Sequence, residues 1–135
     1  MRSVDVMFGK GKLAVEIDDA AEVTVVEKPA MPLIEDPGAA IQAAIDAPDV
    51  EEALGALPPL AEFAKGKQTA CILICDITRP VPNGLNLPVL VRALLDGGVP
   101  ASGITVLIAT GLHRPNEGAE LTELVGDAWV EETVT

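Results

Sequence analysis

An apolar run passes directly into a polar turn in the stretch A-C-I-L-I-C-D-I-T-R-P, residues 70–80. A second apolar run does the same in I-T-V-L-I-A-T-G-L-H-R-P, residues 104–115, which carries the only histidine of the sequence, His113. Short apolar runs that end in turns are typical of buried strands. Ligands bind at the carboxyl ends of strands in open α/β sheets. We therefore expect the functional groups of this protein at the ends of these two strands.

The sequence from residue 70 onward alternates strand, turn and helix. A helix is expected from about Asn86 to Asp96. A last helix is expected near Asn116, where Glu117 and Glu120 suit the positive end of a helix dipole. Because a strand, a crossover helix and a parallel strand form a βαβ unit, we expect fold class α/β. The expected architecture is a Rossmann-like open, largely parallel sheet with an N-terminal β-hairpin and flanking helices. One face of the first helix is predicted to carry Leu87, Leu90, Val91 and Leu94.

Alternating residues on either side of a glycine-rich turn predict the hairpin. Val4–Phe8 and Leu13–Ile17 alternate between apolar and other positions, and residues 9–12 turn the chain between them. The segment G-K-G-K-L-A, residues 9–14, also matches a dinucleotide-binding fingerprint, but that motif requires a helix to begin there. Because the following residues have the period of a strand, we interpret the segment as a hairpin turn. This argues against a dinucleotide-dependent reductase.

Between the hairpin and residue 70, the sequence predicts one more strand and three short helices. The strand is expected at Val23–Glu27. Asp36 suits an N-cap position, with Pro37 in the first turn of the helix that follows. The other two helical stretches are expected at residues 50–57 and 59–65.

Composition limits the classes of function. The chain has 135 residues, of which 49% are apolar, so we expect a single domain, residues 1–135, with an ordered core. Nine basic residues against 21 acidic ones leave a net charge of −12, which disfavours nucleic acid and anionic membranes as partners. No apolar run is long enough to span a bilayer, and the first residues do not resemble a signal peptide. We therefore expect a cytoplasmic protein.

Cys71 and Cys75 lie four residues apart on one predicted strand. At that spacing their Cα atoms would lie roughly 13 Å apart, about twice the reach of a disulfide. Ligand cysteines of metal sites usually come from turns and have further Cys or His partners. We therefore expect both to be small core residues in a reducing compartment.

If the two strands are neighbours, the polar groups at their ends share one crevice. Arg79 offers a planar fork that matches a carboxylate or a phosphate, and Asp76 could hold that fork or accept from a ligand hydroxyl. His113 normally titrates near neutrality, so it is the candidate proton carrier. The alternatives are a solvated histidine and a structural Asp–Arg pair. The residues expected in the crevice are Asp76, Thr78, Arg79, Thr110 and His113.

Three segments together resemble the lactate racemase family: D-I-T-R-P-V-P (76–82), I-T-V-L-I-A-T-G-L-H-R-P (104–115) and G-K-G-K-L-A-V-E-I (9–17). The resemblance implies racemisation or epimerisation of an α-hydroxy acid by hydride transfer to a nickel-pincer nucleotide, a nickel-bearing pyridinium-3,5-bisthiocarboxylate mononucleotide. It further implies that His113 and Arg79 are catalytic, His113 as acid/base and Arg79 as the group that orients the substrate carboxylate. No residue of this chain is expected to bind the metal. The residues implied to line the cofactor are Asp76, Ile77, Thr78 and Arg79.

The resemblance places this chain as the N-terminal domain of a longer two-domain enzyme. In the family, the lysine bonded to the cofactor, the histidine on nickel and a second acid/base histidine lie in a later region. The expected partners are therefore a small hydroxy acid and a C-terminal domain, and the cofactor is expected only in the full-length enzyme. We expect no racemisation by this chain alone. The alternative is a stand-alone binding module for an anionic nucleotide or a hydroxy acid.

Overall fold

The computed structural model describes residues 1–48 and 57–134. The chain divides into two compact units, Met1–Leu33 and Ile34–Thr135. Each unit is described by itself below. The helix expected at residues 50–57 falls on a segment that lies outside the described residues, apart from its last position.

The first unit contains the expected hairpin. Strand β1 (Arg2–Phe8) pairs antiparallel with β2 (Gly11–Ile17), so that Arg2 lies opposite Ile17. Gly9 in the turn has a φ of +58°, which residues with a Cβ rarely adopt. The hairpin is confirmed, and the glycine segment opens no helix, as the interpretation against a dinucleotide site requires.

The prediction of a strand at Val23–Glu27 is wrong, because the structure has no strand there. Val25 is 54% exposed and Val26 is 90% exposed. Alternation gives a segment the propensity for a strand, but a strand forms only where a neighbouring strand completes its hydrogen bonds. Within the described part of the first unit, β1 and β2 pair only with each other.

In its described residues the second unit has α/β architecture with one pair of parallel strands. A single turn of 3₁₀ helix at Ala101–Gly103 leads into the second of these strands. None of the helices that the structure describes could cross a membrane, by length and apolar character. In chain order its elements are α1 (Pro37–Asp46), α2 (Leu60–Ala64), β3 (Ala70–Cys75), α3 (Asn83–Asp96), β4 (Ile104–Ala109), α4 (Ala119–Val125) and α5 (Ala128–Thr133).

Strands β3 and β4 are adjacent and parallel, in a register that pairs Ala70 with Ile104 and Cys75 with Ala109. Both strands therefore end at the same level of the sheet, and the next residues, Asp76 and Thr110, leave it from the same edge. The βαβ unit is confirmed. Among the described residues of this unit the sheet has these two strands.

Helix α3 supplies the centre of the core. Its buried residues include Leu87, Val91 and Leu94, which pack in one cluster with Ile74 and Ile104 of the strands. The predicted apolar face is confirmed, except that Leu90 is only partly buried. The helix begins at Asn83, three residues before the expected start, and the buried Asn83 side chain donates to the carbonyl oxygen of Leu124 at 3.0 Å.

The opposite face of the two strands is exposed, so the expectation that Cys71 and Cys75 lie in the core is wrong. Both are free cysteines, and Leu73 between them is 66% exposed. Successive side chains of a strand point to opposite faces, so Ile72 and Ile74 take the face that the helices cover. The apolar run correctly predicted a strand, but burial on both faces did not follow from it.

The helices α1 and α2 agree with their predictions, and the last predicted helix does not. Asp36 caps α1 as expected, accepting from the backbone N–H of Ala39 at 2.9 Å. Helix α2 lies within the stretch expected at residues 59–65. The last expected helix is two helices: α4 begins at Ala119 rather than near Asn116, and Gly126, with φ +69°, separates it from α5.

Candidate functional site

The loops that follow β3 and β4 open onto one pocket. We call residues 76–82 the first loop and residues 110–118 the second loop. The pocket has a volume of about 340 Å³ and lies at the carboxyl ends of the two strands. The expectation of a common crevice is confirmed for four of its five residues; Thr78, the fifth, touches Asp76 instead of lining the pocket. The lining residues are Cys75, Asp76, Arg79, Ala109, Thr110, Gly111, Leu112 and His113.

Asp76 and His113 form the polar centre of this pocket. The Nδ1 atom of His113 contacts Oδ2 of Asp76 within hydrogen-bond distance. Asp76 is buried, with 5% exposure, whereas the His113 side chain is 55% exposed. A carboxylate at Nδ1 favours the tautomer with the proton on that atom and leaves Nε2 available to a ligand.

Thr78 holds the other oxygen of the same carboxylate. Its hydroxyl donates to Oδ1 of Asp76 at 2.6 Å, and its backbone N–H donates to the same atom at 3.3 Å. The Thr78 hydroxyl, followed by the hydrogen bond to His113, lowers the pKa of Asp76, while burial acts in the opposite direction. Both oxygens of Asp76 are thus engaged inside the protein, and the carboxylate is kept ionised.

Arg79 lines the same pocket and is exposed. Its backbone N–H donates to the carbonyl oxygen of Asp76 at 3.1 Å, which closes the turn of the first loop. Within residues 1–48 and 57–134, its guanidinium forms no ion pair. Asp76 therefore pairs with His113 and not with Arg79. The interpretation in which Asp76 holds the arginine fork is wrong. The arginine fork remains available to an anion.

A second polar network lies beside the pocket. Arg114 and Glu120 form a bidentate ion pair with distances of 2.6 and 2.7 Å. Asn116 donates to Oε2 of Glu120 at 3.3 Å. The hydrogen bonds from Arg114, then that from Asn116, lower the pKa of Glu120 to about 2. Glu120 also lies in the first turn of α4, so the predicted acidic start of the last helix is confirmed for this residue.

Sequence reasoning missed this network. Its members, Arg114, Asn116 and Glu120, lie close to His113 in the chain, but the arginine and its glutamate are six positions apart. That spacing belongs to no regular element, so pattern analysis has no rule that would pair them. A short polar side chain directly after R-P, at Asn116, is the only local signal.

The residues around the pocket do not form a metal site of their own. In the described ranges no group of three or more His, Cys, Asp or Glu side chains is placed to hold a metal ion. Cys75 and His113 both line the pocket. Arg79 offers anion binding in this pocket, and His113 offers proton transfer.

Two adjacent strands of this α/β domain end in a buried carboxylate, a histidine and an arginine that forms no ion pair in the described ranges. This arrangement is typical of small-molecule binding sites. The sequence model of the lactate racemase N-terminal domain matches residues 8–134. The chain therefore belongs to the family of lactate racemase N-terminal domains.

Two curated relatives are similar over different lengths. The lactate racemase of Lactiplantibacillus plantarum is 41% identical over 68 residues, which cover 50% of this chain and 16% of that protein. The lactate racemase of Thermoanaerobacterium thermosaccharolyticum is 27% identical over 136 residues, which cover 97% of this chain and 30% of that protein. The chain thus spans less than a third of the curated relatives that it matches.

Proposed function

We propose that this chain is the N-terminal domain of a lactate racemase-like enzyme, an isomerase that racemises or epimerises an α-hydroxy acid. One observation carries the proposal: His113, Asp76 and Arg79 meet in one pocket at the ends of two parallel strands. Family membership over residues 8–134 supports the same conclusion.

His113 is the proposed acid/base. Its Nδ1 is held by Asp76, so Nε2 would take the proton from the substrate hydroxyl and return it later. The carboxylate of Asp76 fixes the ring orientation and stabilises the positive charge that the ring gains. Because the Thr78 hydroxyl helps to keep that carboxylate ionised, Asp76 can stabilise the charge that the ring gains.

Arg79 is the proposed group that orients the substrate. An α-hydroxy acid carries a carboxylate beside its reacting carbon, and a guanidinium fork can bind both oxygens of that carboxylate. The exposure of Arg79 and its place in the pocket support this role. Fixing the carboxylate also determines which way the hydroxyl group points, and this is the positioning that the reaction needs.

We further propose that the first loop lines a nickel-pincer nucleotide, with contacts from Asp76, Ile77, Thr78 and Arg79. When bound, such a cofactor supplies the hydride acceptor that protein side chains lack. The donor set partly fits: the Arg79 guanidinium in the pocket suits an anionic nucleotide, whereas the described residues offer no cluster of metal ligands. We propose that the metal would be held by the cofactor and by residues of the remainder of the longer enzyme, not by residues of this chain.

The remaining features of the enzyme are proposed from the length of the relatives. This chain covers 30% of the longer match, so we propose that a C-terminal domain completes the site and that this chain alone does not racemise hydroxy acids. We propose also that β3 and β4 belong to a Rossmann-like open sheet with further strands. Cytoplasmic location remains a prediction.

The test is racemisation by the longer enzyme that contains this chain. Starting from one lactate enantiomer, His113→Ala should lower kcat about 10²- to 10⁴-fold, because the proton transfer loses its acid/base. Arg79→Lys should raise KM for the hydroxy acid, because the fork is lost. Arg92→Lys is the matched control, since Arg92 stacks on Trp129, 4.2 Å from the ring centroid, and does not line the pocket. Full activity in His113→Ala would overturn the proposal.

A second candidate function is a binding module without catalysis. The exposed Arg79 in a pocket formed by this chain alone favours it. Calorimetry of this chain with lactate and with a pyridine mononucleotide separates the two. Binding that disappears in Arg79→Ala supports a stand-alone module, whereas binding that requires the C-terminal domain supports the enzyme.

A further inference from the structure

We propose that Asn116 is a positioning residue that holds His113 against Asp76 by tying together the two strand-end loops. The inference rests on the function proposed above for the pocket, and it assigns a role to a residue that does not line it.

Asn116 connects the two loops directly. Its Oδ1 atom accepts from the backbone N–H of Ile77 at 3.4 Å, and Ile77 directly follows Asp76 in the first loop. Asn116 itself is buried, with 8% exposure, in the second loop. The hydrogen bond joins residues 39 positions apart in the chain and links the two loops beside the Asp76–His113 contact.

The other end of the Asn116 amide is held as well. Its Nδ2 atom donates to Oε2 of Glu120 at 3.3 Å, and Arg114 holds both oxygens of that carboxylate. Arg114 directly follows His113 in the chain. A continuous set of contacts therefore runs from the residue after Asp76 to the residue after His113.

Only an amide satisfies both neighbours of this position. An aspartate at 116 could still accept from the Ile77 N–H, but it would donate nothing to Glu120 and would place a second negative charge beside it. An alanine would lose both contacts. The hydrogen bonds of Asn116 are longer than the usual N–H···O distance, so each contributes little stability by itself. They act on the geometry of the pocket, because they fix the position at which the Asp76 carboxylate contacts the imidazole.

Loss of this connection has a defined consequence for His113. With Asp76 in place, the neutral ring carries its proton on Nδ1 and presents a bare Nε2 to the substrate. If the first loop moves relative to the second, the Nδ1 contact weakens and both tautomers become populated. The fraction of the ring that can accept a proton at Nε2 then falls.

The test uses the ring ¹⁵N shifts of His113 in this chain, which are unambiguous because the sequence has one histidine. At a pH where the ring is neutral, the unmodified chain should show the Nδ1–H tautomer. Asn116→Ala should show a mixture of both tautomers, together with about 10-fold faster hydrogen exchange of the Ile77 amide. Asn116→Asp, which is close to isosteric, should shift the tautomers as well, while the exchange rate of Ile77 changes less.

Asn83→Ala is the matched control for lost stability. Asn83 is also a buried asparagine, 3% exposed, and its amide donates to the carbonyl oxygen of Leu124 at 3.0 Å, away from the pocket. It should lower stability and leave the His113 tautomer unchanged. An unchanged tautomer in Asn116→Ala and Asn116→Asp, or the same shift in Asn83→Ala, would overturn the inference. If Asn116→Ala does not fold, the comparison of Asn116→Asp with Asn83→Ala decides the question.

Kinetics of the longer enzyme separate this inference from the proposed function. Asn116→Ala should lower kcat about 10- to 100-fold and change KM for the hydroxy acid little, because Arg79 is untouched. If the enzyme racemises nothing but the tautomer shifts as described, the proposed function fails and the positioning role stands. If His113→Ala abolishes racemisation while Asn116→Ala changes neither the tautomer nor kcat, the proposed function stands and the positioning role of Asn116 fails.

Discussion

The two faces of the β3–β4 sheet differ sharply although they come from the same apolar runs. On one face, Ile74 and Ile104 are 8% and 0% exposed and pack with the helices. On the other face, Leu73 and Leu107 are 66% and 52% exposed, and Cys71 and Cys75 are exposed as well. Parallel strands buried on both faces have continuous apolar sequences. Such a sequence shows what a strand can bury, while the neighbouring elements determine what it does bury.

The largest expected effect is on the free energy of unfolding, and it differs between the two faces of the sheet. Ile104→Ala should lower the free energy of unfolding by about 2–5 kcal/mol, because it leaves a cavity in the core. Leu107→Ala on the same strand should change it by no more than about 0.5 kcal/mol. Urea unfolding followed by the fluorescence of Trp129, the single tryptophan of the sequence, measures both. Equal losses would mean that both faces are covered in solution.

The next effect is expected where β4 begins. A Cβ added to Gly103 would lie 2.2 Å from the carbonyl oxygen of Gln68, so the backbone would have to shift. Gly103→Ala should cost about 1–3 kcal/mol. Gly38→Ala is the control, because its Cβ would meet only Asp36 Oδ1, at 3.5 Å, and alanine favours a helix by up to about 1 kcal/mol over glycine. The same unfolding measurement should therefore give opposite signs for the two variants, and a stabilising Gly103→Ala would contradict the close packing of the strand starts.

A smaller effect, on stability at acidic pH, is expected at the carboxyl end of the sheet. The pKa of Glu120 falls from 4.5 to about 2 in the folded chain, mainly because of Arg114. A group with a lowered pKa stabilises the fold above its unfolded value and loses that contribution as the pH falls through the folded value. Stability should thus decline between pH 4.5 and about 2, and the lowered pKa of Asp76 should add to the decline below its ordinary 3.8.

Glu120→Gln should flatten this decline, and Arg114→Gln should do the same through the other partner of the ion pair. Urea unfolding at a series of pH values, again read from Trp129, gives the slope for each variant. If both variants keep the slope of the unmodified chain, the ion pair contributes nothing to acid stability.

The smallest effect involves no loss of stability. Cys71 and Cys75 are exposed, so both thiols should react with an aromatic disulfide reagent in the native chain. Their rates should be close to those in urea. Colorimetric titration of two thiols per chain without denaturant checks this. Reaction only after unfolding would place the cysteines in a core and would remove the difference between the two faces.

Several features that depend on neighbours in the chain were correctly predicted. The hairpin follows from alternation around Gly9, and the start of α1 follows from Asp36 as its cap. Strands β3 and β4 and the apolar face of α3 follow from short apolar runs and helical spacing. In each case the physical cause is local: backbone conformation, a capping hydrogen bond or the period of the side chains.

The residues of the candidate site were identified in the same way, but their contacts were not. Polar groups at two strand ends indicated Asp76, Arg79 and His113, and the parallel register brings them into one pocket. That Asp76 pairs with His113 rather than with Arg79 depends on the path of both loops. The strand expected at Val23–Glu27 failed for a related reason, because a strand requires a partner that its own sequence does not contain.

The amino-acid order alone therefore established the two strands that lead into the site, the chemical groups that it offers and the family to which they point. Packing established which face of the sheet is covered, which partner Asp76 takes and how Asn116 connects the two loops. The reason is distance along the chain. Periodicity and capping act within a few residues, whereas these contacts join residues that only the folded chain brings together, 37 and 39 positions apart.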